Sequence, residues 1–198
     1  AGDFSAAAFF IVAATVAQGS AVTIPGVGVN PSRTGLLDAL LQMGARIRLE
    51  NPRERCGEPV ADIAVESAPL RAIAVGGELA LRAVDEMLVL AVAAAFAQGE
   101  TRITGIQELR NKESDRLAAM LRLMHAAGVE IEPLPNGVAI RGGGPRCGGE
   151  LVETHGDHRT AMAAACLAAG AGALRIDDEQ SIDVSFPEFI PQLRKVQA

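Results

Sequence analysis

The tripeptide Ala-Gln-Gly closes an apolar stretch at residues 17–19 and closes another at 97–99, 80 positions later. Residues 5–17 are apolar nearly all round, which predicts a helix buried on every side and stopped by Gln18-Gly19. Residues 85–97 repeat that pattern up to Gln98-Gly99. The segments after the two helices also repeat. After the first come a strand at 21–24, a loop from Pro25 to Pro31 and an amphipathic helix ending at Gly44, with Leu36, Leu37, Leu40 and Leu41 on one face. Alternating strands at 46–50 and 62–66 complete the unit. After the second come a strand at 101–106, a helix at 115–127 stopped by Gly128, and strands at 129–132 and 138–141. A third unit starts at Gly156-Asp157 with a helix over 158–169, a strand at 174–177 and a helix over 186–196 with Pro191 near its start.

Repetition on this scale predicts a pseudo-symmetric domain. The expected class is α/β (α+β): a pseudo-threefold set of α-β-α-β-β units, about 1–72, 73–150 and 151–198, with three buried helices inside and small sheets outside. The third unit lacks its last two strands, which are expected from sequence upstream of residue 1. The opening Ala1-Gly-Asp likewise reads as part of something longer.

Composition narrows the chemistry. Hydrophobic residues make up 49% of the chain but aromatics only 3%, without Trp or Tyr, so the core must be aliphatic. A net charge of −6 with no basic tract and few rings for stacking bases argues against nucleic acid. No apolar run reaches the ~18 residues of a membrane span without a break, and residues 5–17 lack the basic flank of a signal peptide. Cys56, Cys147 and Cys166 show no paired spacing, which suits reduced thiols in a cytoplasmic protein.

The charged stretch Arg110-Asn-Lys-Glu-Ser-Asp-Arg116 precedes an apolar helical run, with Ser114 positioned to cap it. Lys112, Glu113 and Arg116 thus gather at a helix start, whose free N–H groups already suit an anion. Asp3, Asp85 and Asp157 each begin a buried helix, and equivalent helix starts converge in a threefold fold. A pocket with Lys112, Arg116 and Arg159 as cations, and Asp85 and Glu113 as ionisable acids, suits a multiply anionic substrate. Simple N-capping is the alternative for Asp85 and Asp157. His155 and His158 flank Asp157 without an evident third ligand, so no metal is expected. His125 reads as a surface residue, and Gly142-Gly-Gly-Pro145 as a turn.

Five motifs occur in order: Gly2-Asp-Phe-Ser, Asn30-Pro-Ser-Arg-Thr-Gly35, Lys112-Glu-Ser-Asp-Arg116, Asp157-His-Arg159 and Ser185-Phe-Pro-Glu-Phe189. Together they resemble the bacterial EPSP synthases, over the C-terminal half of that family's length. The resemblance implies the enolpyruvyl transferase fold, an inside-out α/β barrel of two such domains with the site between them. The N-terminal segment and partner domain would lie outside this chain. The implied reaction moves the enolpyruvyl group of phosphoenolpyruvate onto the 5-hydroxyl of shikimate 3-phosphate and releases phosphate, without a cofactor. Asp85 would take the hydroxyl proton and Glu113 would protonate the methylene carbon. Lys112 would contact the shikimate ligand, and Arg116 and Arg159 the carboxylate and phosphate. Glu108 and His158 complete the substrate-binding set. Val184 stands where some members carry Lys, and Glu108 where some carry Asn. The chain alone is expected not to turn over. Two rivals are a UDP-N-acetylglucosamine enolpyruvyl transferase and a non-catalytic repeat domain that binds partners.

Overall fold

The structure, a computed structural model, describes residues 1–112 and 114–196. Its centre is three helices: α1 (Phe4–Val16), α4 (Met87–Phe96) and α6 (His158–Ala171). They pack against one another pairwise and are lined by Ala, Val, Ile, Leu and a few Phe. All ten residues of α4 except Phe96 are buried. The three run the same way. Their starts meet through Ser5, Glu86 and Arg159, and their last turns meet where Gly170 lies against Phe96 and Val16.

The Ala-Gln-Gly repeat has a structural cause. Gly19 (φ +82°) and Gly99 (φ +103°) take left-handed conformations that turn the chain out of the core and into a strand. Around the helices lie three sheets. In the first, β1 (Ala21–Gly28), β2 (Arg46–Arg55) and β3 (Glu58–Glu66) are antiparallel in the order β1-β3-β2. In the second, β4 (Ala74–Val75), β5 (Glu100–Thr104), β6 (Glu130–Leu134) and β7 (Gly137–Arg141) take the order β4-β5-β7-β6. Among the described residues the third holds β8 (Leu151–Val152) and β9 (Arg175–Ile176). Ahead of each central helix, a short stretch pairs in parallel with the strand beyond that helix: Gly2 with Val27, β4 with β5 and β8 with β9. No helix among the described residues is long and apolar enough to cross a membrane.

The outer helices α2 (Gly35–Met43) and α5 (Arg116–Ala126) bury one face each. Leu36, Leu37 and Leu40 are buried as expected, but Leu41 is 49% exposed, on the far edge of the apolar stripe. α3 (Gly77–Arg82) precedes α4. The expected loop at Pro25 is strand. A register shift between Ile24 and Val27 absorbs the proline, and the Asp62 carboxylate accepts the Gly26 N–H at 2.7 Å. The expected helix over 186–196 starts later, as α8 (Phe189–Val196), and an unexpected helix α7 (Gln180–Ser185) precedes it; the two are separated at Phe186-Pro187 because proline disfavours helical backbone in the residue before it. The glycine turn at 142–144 also closes α4. Gly143 and Gly144 donate to the Ala95 carbonyl at 3.2 and 3.3 Å, which satisfies an acceptor that the helix end leaves open.

Candidate active site

The starts of α1, α4 and α6 differ in how their aspartates are used. Asp3 caps α1 by accepting the Ala6 N–H, and Asp157 caps α6 by accepting that of Arg159. Asp85 caps nothing. It sits in a 3₁₀ turn, Val84–Glu86, ahead of α4, and its carboxylate faces cations from elsewhere in the chain. Lys112 Nζ lies 3.3 Å from Asp85 Oδ1, and Arg33 Nη2 lies 3.6 Å from Oδ2. Arg159 Nη1 donates to the Asp85 main-chain carbonyl at 2.8 Å. Partial burial opposes ionisation of Asp85, but Lys112, Arg159 and Arg33 outweigh it and hold the carboxyl below its ordinary range. It is therefore ionised at neutral pH. Lys112 also approaches Glu108, at 3.9 Å.

Arg116 and Asp157 form a second, buried group. Arg116 Nε lies 3.0 Å from Asp157 Oδ2, with side chains 3% and 1% exposed. Ser114 Oγ donates to the same oxygen at 2.7 Å. This corrects the cap expected at Ser114: Asp115 caps α5 by accepting the Ala118 N–H, and Ser114 ties the α5 start to α6 instead. Burial of Asp157 is offset by the hydrogen bonds from Ser114 and Arg116, which hold its carboxyl low. For Asp157 the capping alternative and the ion-pair reading both apply.

Lys112, Asp85, Arg159 and Glu108 thus come together, and Arg116 joins through Asp157 at the start of α6. Glu113 lies outside the described residues. His158, at the first position of α6, lines a cleft of about 160 Å³ with Asp3, Ser5, Arg159, Ser185 and Phe186. His155 turns aside to Glu153, 4.0 Å away, and no cluster of three or more potential metal ligands occurs among the described residues. Val184 is exposed on α7. A larger, mostly apolar cleft of about 400 Å³ between α1, β1 and α8 contains none of the Asp85 cluster.

Two site residues were not in the expected set. Arg33 belongs to the Asn30–Gly35 motif, so a signal existed, but its pairing with Asp85 needs the folded loop. Glu86 is 2% exposed. The Ser5 hydroxyl donates to its Oε1, and Arg159 Nη1 stands 3.9 Å from the same atom. Burial pushes the Glu86 carboxyl above its ordinary range, against the pull of Ser5, Arg159 and Arg33. What the arrangement offers is an ionised carboxylate in a ring of cations at the open end of a rigid helix bundle.

A family profile described as EPSP synthase (3-phosphoshikimate 1-carboxyvinyltransferase) matches residues 1–193. Proteins named 3-phosphoshikimate 1-carboxyvinyltransferase from Gloeobacter violaceus and Desulforudis audaxviator are each 52% identical over 196 residues. The match takes in 98% of this chain and 45% and 46% of theirs. The solved EPSP synthase of Acinetobacter baumannii superposes with a TM-score of 0.93 at 37% identity, over 98% of this chain and 45% of that one. The enolpyruvyl transferase NikO of Streptomyces tendae shares the fold, with a TM-score of 0.74 at 16% identity over 97% of this chain and 42% of its own. The chain spans about half the length of the curated relatives it matches. On its motifs, its fold and these likenesses, this chain belongs to the EPSP synthase family.

Proposed function

We propose that this chain supplies half of an enolpyruvyl transfer site, moving the enolpyruvyl group of phosphoenolpyruvate to the 5-hydroxyl of shikimate 3-phosphate with release of phosphate. The observation that carries the reading is Asp85, a carboxylate free of any capping duty and surrounded by Lys112, Arg33 and Arg159. An ionised Asp85 accepts the hydroxyl proton as the oxygen attacks. Lys112, beside it, binds the acceptor sugar acid. Glu113 delivers a proton to the methylene carbon of phosphoenolpyruvate. Arg159 and Arg116 hold the carboxylate and phosphate of the donor, where planar guanidinium groups suit paired oxygens. Glu108, 3.9 Å from Lys112 Nζ, belongs to the same substrate-binding set, and His158 borders the donor cleft. Fixed cations of this kind stabilise the charge that develops on an attacked enol ether.

The remaining contacts are assigned to a partner domain outside this chain, and the complete site to the cytoplasm. Phosphate release is measured from phosphoenolpyruvate plus shikimate 3-phosphate with this chain alone, then with the N-terminal half of the Gloeobacter violaceus relative added. Activity in the mixture only is expected. Turnover by the chain alone, or none from two halves verified to associate, overturns the proposal.

A further inference from the structure

Glu86 is a buried acid for which the proposed reaction has no use. It joins residues that lie far apart in the chain: Ser5 at the start of α1, Arg33 in the loop before α2, and Arg159 at the start of α6. The Ser5 hydroxyl donates to Glu86 Oε1 and in turn accepts from Arg33 Nη2 at 3.3 Å. Arg159 Nη1 meets the Asp85 carbonyl at 2.8 Å and stands 3.9 Å from Glu86 Oε1, so one edge of the guanidinium is held against the 3₁₀ turn. The charged groups facing Glu86 are Arg159, Asp85 and Arg33. A carboxylate at 2% exposure is costly to ionise, and a neutral side chain of the same shape would serve the packing better. The carboxyl group lies where the starts of α1, α4 and α6 meet.

We infer that Glu86 is a positioning residue: oriented by Ser5, its carboxylate fixes the Arg159 guanidinium at the cleft beside His158 for an anionic ligand. The geometry stands independently, and the identity of the ligand as phosphoenolpyruvate rests on the function proposed above. Arg159 has its own flexible stem and, without an anchor, would sample many rotamers before meeting a ligand. Holding it in advance removes that ordering cost from binding.

The test is Glu86→Gln, which keeps the size of the side chain and its acceptor for Ser5 but removes the charge. The Arg159 Nε–H signal is followed by NMR in this chain, alone and titrated with phosphoenolpyruvate. The expected result is a shifted Arg159 signal that exchanges about tenfold faster with water, and a Kd for phosphoenolpyruvate weakened about tenfold. The melting temperature at neutral pH should stay equal or rise. Arg159→Ala should abolish the Glu86 effect, so that the double variant binds no worse than Arg159→Ala alone. Ser5→Ala should reproduce the Arg159 signature at reduced size. An unmoved Arg159 signal, additive effects, or a Glu86→Gln chain that melts lower or fails to fold overturns the inference. An Arg159 signal that depends on Glu86 yet ignores phosphoenolpyruvate in the unaltered chain sinks the assigned ligand and leaves the positioning role standing.

Discussion

Lys112 Nζ and Asp85 Oδ1 lie 3.3 Å apart, joining the loop before α5 to the turn before α4. Each side chain is 29% exposed, enough to meet a ligand and enough to be screened by water. The pair is therefore better read as an arrangement of charge than as a source of stability.

Replacing Asp85 by Asn should lower kcat of the complemented enzyme about 10²- to 10⁴-fold. The melting temperature should barely move, because Asp85 caps no helix. Lys112→Met should raise the Asp85 carboxyl towards its ordinary value, since a cation that favours the charged form is gone. A carbon-detected pH titration of Asp85 in both chains reads this directly. An unmoved titration would show that Lys112 does not govern the carboxylate.

Asp157 should behave in the opposite way, as a stabilising group with a defined pH window. Its carboxyl is held low in the folded chain, so its ion pair contributes fully above the ordinary Asp value of about 3.9. That contribution is lost as pH falls through the depressed folded value. Asp157→Asn takes this anion away from the buried Arg116 and should cost about 3 kcal/mol at neutral pH, roughly 6–12 °C in melting temperature. The two melting curves should converge on acidification. A gap that does not narrow on acidification would show that the loss does not come from the charge.

Gly142→Ala tests the glycine turn that closes α4. A Cβ there would run into the carbonyl oxygens of Ala94 and Ala97, which are backbone and cannot swing aside. Overpacking of this kind costs about 1–3 kcal/mol. Urea unfolding should show the loss with an unchanged slope, and an equal or higher midpoint would mean that the turn is free to shift.

The parts legible in the sequence were those fixed locally. α1 and α4 announce themselves because residues apolar on every side have only one place to go. The two-residue strands β4 and β8 were invisible, since an alternating pattern needs more residues than they contain. Asp85 was readable from its place in the repeat, while nothing local in the sequence singled out its neighbour Glu86. Its burial comes from Ser5 and Arg159, which no local pattern links to it. Arg33 was similarly hidden. Ser114 and Asp115 are both good caps, and the choice between them was decided by Asp157 across the interface.

That α1, α4 and α6 enter the core side by side and in one direction has an electrical consequence. Each helix carries the equivalent of about half a positive charge at its first turn, so the bundle crowds three like poles together. Asp3, Asp157, Asp85 and Glu86 offset that repulsion from within, and the surrounding guanidinium and ammonium groups restore it. An anion that settles at this end would add to the neutralisation that the fold leaves incomplete, so its binding and the resistance of the chain to unfolding would be thermodynamically linked.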